Sequence, residues 1–252
     1  MIELKNLTKR YGKFTAVNSI SLTIPPGTLY GLLGPNGAGK TTTMRMIAGI
    51  LRPTSGQITV AGFDVVSEPM EAKRRLGFIP DRPFVYDKLT GTEFLRFVAG
   101  LYGQTGAHIE KRIDELLDLF ELGPWKHELS ESYSHGMRQK LIISSALVHR
   151  PAVIVVDEPM VGLDPRSARL LKDIFRHFVD RGGTVLMSTH TLEVAEVMCD
   201  QIGIVSGGQV AAAGTMAEIR EQTSSGTASL EDVFLKLTGG LAERELSAIL
   251  GD

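Results

Sequence analysis

Eight residues, Gly34-Pro35-Asn36-Gly37-Ala38-Gly39-Lys40-Thr41, carry the spacing G-x-x-x-x-G-K-T. Glycines let backbone N–H groups turn inward around an anion, and a helix opening behind them adds a favourable dipole. In such a cradle Lys40 would reach the β- and γ-phosphates of a nucleotide, and the Thr41 hydroxyl would ligate Mg2+. A chance match in a chain of this length is on the order of one in a hundred. Further along, Val153-Ile154-Val155-Val156-Asp157-Glu158 reads as a buried strand ending in two acids. Asp157 would hold the cation, usually through a water, as the partner of Thr41. Glu158 would orient and deprotonate an attacking water. Seen alone, such a strand can simply end in surface acids; the phosphate loop upstream favours the chemical reading. His190 follows Val185-Leu186-Met187-Ser188-Thr189, at the end of a strand, where α/β sheets bind ligands. It would hydrogen-bond a γ-phosphate and the attacking water, although a lone histidine is more often structural.

The elements that must position these groups follow from periodicity. Residues 2–7, 16–24 and 28–33 are short apolar runs between turn signals, the mark of strands. The phosphate loop sits between the third of these and a helix over residues 40–51, which Arg52-Pro53-Thr54-Ser55-Gly56 closes. Residues 57–60 and 75–79 read as two more strands. Between Thr90 and Val148 the pattern turns helical, with apolar residues at i, i+3 and i+4 over 93–101, 109–120 and 136–148. Strand and helix then alternate again: strands at 153–156, 184–187 and 201–205, helices at 166–178 and 192–198. A last helical piece and a turn over 223–227 lead to a helix at 230–237. The chain is α/β with a helical insert of about 60 residues, without internal repeats or low-complexity linkers.

Composition bounds the partners. The 252 residues are 43% hydrophobic and 22% charged, with 27 basic against 29 acidic side chains and a net charge of −2. That is an ordinary globular balance for one or two domains. It argues against a broad basic surface for nucleic acid or anionic lipid and leaves room only for a local patch. The longest apolar runs, such as 152–156, fall far short of the ~20 residues that span a bilayer. Met1-Ile2-Glu3-Leu4-Lys5 lacks the pattern of a secretory signal. One cysteine, Cys199, allows neither an intrachain disulfide nor a cysteine-rich metal site and reads as a small buried residue. Trp125, in Leu122-Gly123-Pro124-Trp125, reads as packing at a turn between helices. The expectation is a cytoplasmic chain that meets a membrane only through a partner.

With Tyr133-Ser134-His135-Gly136-Met137 at the start of the third insert helix, the chain resembles the ATP-binding cassette ATPases, the motor subunits of ABC transporters. The resemblance covers about residues 2–214, with the motifs in the family's order. It implies a P-loop NTPase (RecA-like) core with an N-terminal antiparallel β subdomain and an inserted α-helical subdomain. It further implies one nucleotide-binding domain over residues 1–220, with the helical part at about 86–149, and a short C-terminal helical tail over 221–252. ATP and Mg2+ are the implied ligands, with phosphate contacts from Gly34, Pro35, Asn36, Gly37, Ala38, Gly39, Lys40, Thr41 and Thr42. Tyr11 matches the aromatic that stacks on adenine, and Val17 a residue packing beside it. The family's second short motif, L-S-G-G-Q, matches the Tyr133–Met137 stretch. In the family it grips the γ-phosphate of ATP on an opposite, head-to-tail cassette, which gives that role to Ser134 and Gly136. Val161-Gly162-Leu163-Asp164-Pro165 matches a loop across the dimer interface; Asp164 also suits a helix N-cap, with Pro165 at the first helical position.

Three departures from the family pattern stand out. Asp81 stands where many cassettes carry a glutamine that contacts Mg2+ or the attacking water and begins the loop facing the transporter. His135 replaces a glycine, placing a ring where close backbone approach is expected. Met137 replaces a glutamine, as in cassettes of the ABC-2 type group. Ser229-Leu230-Glu231-Asp232-Val233-Phe234-Leu235-Lys236-Leu237-Thr238-Gly239 resembles the segment closing many ABC-2 type exporter ATPases, and is also a plain amphipathic helix. The resemblance thus implies an exporter ATPase on the cytoplasmic face of the membrane, held by a separately encoded permease near residues 81–87 and the helical insert. No nucleic acid and no membrane span of its own are expected, nor the appended regulatory domain of some importers. Three alternatives stay open: an importer ATPase, a soluble cassette acting on nucleic acid or ribosomes, and a binding-only nucleotide switch. One cassette without coiled-coil arms, zinc cysteines or basic excess speaks against the second; intact Lys40, Asp157, Glu158 and His190 speak against the third.

Overall fold

Two sheets organise the chain in a computed structural model that describes residues 1–82 and 84–239; residues 240–252 of the expected tail lie outside the described residues. The first sheet is antiparallel. Strand β1 (Ile2–Tyr11) pairs with β2 (Phe14–Ile24) on one side and, beyond the next strand and helix, with β4 (Ser55–Val60) on the other. β4 continues into the two-residue β5 (Phe63–Asp64). Alternation sets its faces: Ile2, Leu4, Leu7, Val17, Ile20, Ile58 and Val60 point into the core, while charged neighbours remain outside.

The second sheet has the order β10-β9-β3-β8-β7-β6. Its members are β3 (Thr28–Leu33), β6 (Leu76–Ile79), β7 (Val153–Asp157), β8 (Thr184–Ser188), β9 (Gln201–Ser206) and β10 (Gln209–Gly214). All pairings are parallel except β9–β10. Every residue of β3, β7 and β8 is buried. This is why these strands are continuous apolar runs rather than alternating ones: helices cover both faces.

Helix α1 (Lys40–Ile47) springs directly from the loop after β3. It stops four residues before the sequence-based limit because Gly49, at φ +64°, closes its last turn with an N–H donated to the Met46 carbonyl. The short α2 (Pro69–Arg74) opens on a proline, and with β5 and β10 it makes three elements that periodicity did not single out. β1 and β2 also run further than the apolar residues alone suggest, to Tyr11 and from Phe14, since backbone pairing continues through Lys9 and Arg10.

The helical insert consists of α3 (Gly91–Leu101), α4 (Ala107–Leu119) and α5 (His135–Leu147). Thr90 and Glu93 cap α3 reciprocally, each side chain accepting the other's backbone N–H. Phe94, Leu95, Ile113, Leu117, Leu141 and Ile143 fuse the insert to the sheet through one apolar cluster that also holds Ile154 and Val156. A second tie is a stacked pair: Tyr102, after α3, and His149, after α5, lie 3.6 Å apart at 6°. The remaining helices are α6 (Pro165–Asp180), α7 (Leu192–Met198), α8 (Met216–Gln222) and α9 (Leu230–Thr238). Leu230 and Val233 seat α9 in a third cluster with Ile202, Ile204 and Ala195. Cys199 packs its Sγ against Gly31, where an added Cβ would come within 2.8 Å. Among the described residues, no helix is long and apolar enough to cross a membrane.

Candidate active site

Parallel pairing places four loops along one edge. Leu32 of β3 and Asp157 of β7 both pair with Ser188 of β8, so these strands end level with one another. The phosphate loop, the pair Asp157-Glu158 and His190 therefore issue from adjacent carboxyl ends, with Asp81 after the next strand out, β6. This is the edge at which such sheets bind ligands.

The loop's shape depends on its glycines. Gly39 adopts φ +102°, and a Cβ there would lie 2.5 Å from the Ala16 carbonyl oxygen; a Cβ on Gly34 would strike the Val205 carbonyl. Pro35, Asn36 and Gly37 form the exposed crest, while Ala38 is buried. Lys40 is 8% exposed and donates to the carbonyls of Gly34 at 2.6 Å and Pro35 at 3.1 Å. Burial lowers the pKa of its ammonium, and the charges of Glu158 and Asp157 pull it back up. Thr41 and Thr42, in the first turn of α1, are half-buried.

Asp157 is 2% exposed and accepts a very short hydrogen bond from the Ser188 hydroxyl. The Glu158 N–H donates to the same hydroxyl at 3.1 Å. Glu158 itself stands at φ +52°, a left-handed conformation that side-chain-bearing residues rarely adopt. Its Oε2 meets the His190 Nδ1 at 2.8 Å, with the imidazole 65% exposed and the carboxylate 21%. Ser188 is the residue that reading the sequence missed. Its only signal was a hydroxyl inside an apolar strand, two residues before His190.

The other candidates lie around this centre. Tyr11 is half-exposed, with the Lys9 ammonium 5.1 Å from its ring centroid. Val17 is fully buried, with Cγ2 3.4 Å from the place of a Cβ on Gly39, so it supports the loop from beneath rather than facing solvent. Asp81 is half-buried, and no side-chain hydrogen bond is found for it among the described residues. Ser134 and Gly136 start α5 on a different face: the exposed Ser134 hydroxyl accepts the Met137 N–H at 3.3 Å. The His135 ring lies against the Cα of Gly162, and Gly136 approaches the Gly162 carbonyl, so this helix start and the loop after Glu158 touch within one chain. Asp164 caps α6, accepting N–H groups of Arg166 and Ser167 at 3.0 Å. Those bonds and the Ser167 hydroxyl hold its carboxyl down at about 2.

The oxygen donors fit a small hard cation: a buried carboxylate on Asp157 and a hydroxyl on Thr41, with the Glu158 carboxylate nearby. No group of three or more His, Cys, Asp or Glu that could hold a metal occurs among the described residues. Such a site needs oxygens from a ligand to complete it, as Mg2+ bound with nucleotide phosphates does.

A family model described as ABC transporter matches residues 17–161. The chain is 42% identical over 250 residues to the daunorubicin/doxorubicin resistance ATP-binding protein DrrA of Streptomyces peucetius, an alignment covering 99% of this chain and 76% of that protein. A solved structure of an ATP binding subunit of an ABC transporter superposes with a TM-score of 0.89 at 34% identity, covering 94% of this chain and 99% of that one. The dimeric post-hydrolysis state of the ATP-binding cassette MJ0796, bound to ADP and Pi, superposes at 0.79 and 25% identity, covering 86% and 99%.

Proposed function

This chain belongs to the ABC transporter family, and we propose that it is the motor of an ABC-2 type exporter, working as an ATP-dependent head-to-tail homodimer on a separately encoded permease. As the ATP-binding subunit of an ABC transporter it is an ATPase. Within it we assign residues 1–220 to one nucleotide-binding unit, the helical part to about 86–149 and the tail to 221–252. The observation that carries the reading is the convergence of the phosphate loop, Asp157, Glu158 and His190 at one sheet edge, with Glu158 and His190 in direct contact.

Lys40 exchanges its bonds to the Gly34 and Pro35 carbonyls for β- and γ-phosphate oxygens when ATP arrives, so a charge already turned into the loop is released onto the ligand. Thr41 and Asp157 would hold Mg2+, with Asp81 as a further donor, and the ion would supply charge neutralisation at the phosphates. Glu158 takes the proton of the attacking water. His190 has two tasks that one neutral ring cannot perform together. With its Nδ1–H donated to Glu158, a neutral imidazole leaves only a lone pair on Nε2, which repels phosphate oxygens. To donate to the γ-phosphate the neutral ring must release Glu158, and release frees the Glu158 oxygen for water. Tyr11 supplies the adenine platform, with Val17 supporting the loop below. Ser134 is exposed at the start of α5 with the half-buried Gly136 beside it, where backbone N–H groups and a helix dipole suit the γ-phosphate held by a second copy.

The permease surface is the aromatic ridge that follows Asp81. Phe84, Tyr86 and Phe97 pack edge to face at 5.4–5.8 Å yet stay 73%, 49% and 43% exposed, and Leu101 extends the ridge at 67%. Large apolar side chains gathered in the open mark a protein contact. Export is the reading supported by the likeness to a drug-resistance ATP-binding protein and by the Ser229–Gly239 segment; a place at the cytoplasmic face, through the permease, goes with that reading.

Glu158→Gln tests the base assignment. Turnover should fall at least a hundredfold while ATP traps a dimer on size exclusion. Hydrolysis near the wild-type rate would remove Glu158 from that role.

A further inference from the structure

We infer that Ser188 is a positioning residue for both acids of the site: its hydroxyl fixes the metal-facing carboxylate of Asp157 and the backbone of Glu158 at once. The inference rests on the assignment of Asp157 and Glu158 above. Ser188 has no exposed surface, lies last in β8 and pairs in register with Asp157 across the β7–β8 ladder. A hydroxyl has one proton and two lone pairs. Here the proton goes to Asp157 Oδ1 and a lone pair accepts the Glu158 N–H at 3.1 Å.

Two consequences follow from that single bridge. One oxygen of Asp157 is committed to the serine, which stops the carboxylate from rotating and turns the other oxygen to serve a cation. Outer hydrogen bonds of this kind typically change metal affinity 10–100-fold when removed. The second consequence concerns Glu158, whose left-handed φ of +52° needs an external restraint, since the conformation is unfavourable for a residue with a Cβ. The bond from its N–H to Ser188 supplies one, and it aims the side chain at His190 rather than along the strand. An alanine at 188 would leave the Glu158 N–H and Asp157 Oδ1 without this partner, beside a residue with no exposed surface.

The test compares Ser188→Ala, Ser188→Thr and Asp157→Asn in the full-length chain. Two binding readouts are used: Mn2+ affinity by electron paramagnetic resonance with a non-hydrolysable ATP analogue, and binding of that analogue without metal. Ser188→Ala is expected to weaken Mn2+ 10–100-fold and to lower kcat by a similar factor. Metal-free nucleotide binding should stay within twofold, and Ser188→Thr, which keeps the hydroxyl, should recover most of the loss. Should the alanine variant melt early, Ser188→Cys, nearly isosteric but a poor donor, repeats the comparison. Unchanged Mn2+ affinity in Ser188→Ala, beside a clear loss in Asp157→Asn, overturns the inference and spares the metal assignment. Unchanged affinity in Asp157→Asn overturns both. Equal losses in the alanine and threonine variants, with metal-free binding also lost, would reduce Ser188 to a packing role.

Discussion

Tyr11 keeps one face of its ring under the Lys9 ammonium, which also donates to the Arg52 carbonyl at 2.8 Å, so the ring is anchored on one side and open on the other. An anchored aromatic loses little freedom when a base settles on it. Stacking of this kind is worth about 1–3 kcal/mol per base. Tyr11→Ala is therefore expected to raise KM for ATP roughly 10-fold while kcat changes little, whereas Tyr11→Trp stays near wild type; steady-state kinetics over a range of ATP concentrations decide it. A KM unmoved by Tyr11→Ala would place the adenine elsewhere. The residues whose placement was legible beforehand were those written in a contiguous motif: Lys40 and Thr41 after their glycines, Asp157 and Glu158 at the end of an apolar strand. Ser188 was illegible because its contacts arise from register. It matters only once β8 lies beside β7 with 188 opposite 157, a relation no local pattern encodes.

The same division holds among the elements. Long periodic segments such as α3 to α6 and the buried strands β3, β7 and β8 were recognisable, because a large apolar face dictates them. β5 is too short to show a period, α2 has only Ala72 buried, and β10 reads Gln-Val-Ala-Ala-Ala-Gly, poor in the branched residues that mark strands. What makes β10 is the turn before it, since Gly207 and Gly208 both adopt positive φ and bring the chain back antiparallel to β9. The join between insert and sheet carries a pH dependence. The Leu76 carbonyl can only accept, so His149 Nε2 holds the proton at 3.2 Å while buried Nδ1 has no partner among the described residues. Burial pushes the imidazole from 6.5 down to about 4, only partly offset by that bond. Unfolded, the ring gains its proton near pH 6.5; folded, only near pH 4. Its stabilising contribution is whole above that upper value and is lost as pH falls between the two, by up to roughly 3 kcal/mol. His149→Phe, which keeps a ring against Tyr102, should flatten the melting temperature against pH over this interval. Identical slopes in the two proteins would exclude His149 as the source.

Across the whole molecule, short links join the candidate catalytic edge, the start of α5 and the aromatic ridge. Arg138 is one such link: from the first turns of α5 it pairs with Asp87 at 3.1 Å, beside the ridge, and donates to the Tyr133 and Glu131 carbonyls. Phe97 and Leu101 lie on α3 and are not among the candidate nucleotide residues, so that part of the ridge can be damaged alone. Phe97→Glu with Leu101→Glu should abolish copurification with a membrane protein, yet leave the ATP-trapped dimer of the Glu158→Gln variant intact. Retention of the partner would move the docking surface elsewhere. Cys199, the only cysteine in the sequence, has a further use. Partial burial beside Gly31 pushes its thiol up to about 12, which disfavours the reactive thiolate near neutral pH. For anyone wishing to test whether two copies close on ATP, the chain already comes with its one native thiol poorly ionised. A cysteine introduced on the α5 start or the phosphate-loop crest would take a fluorophore against an almost dark background, with no wild-type residue to remove first.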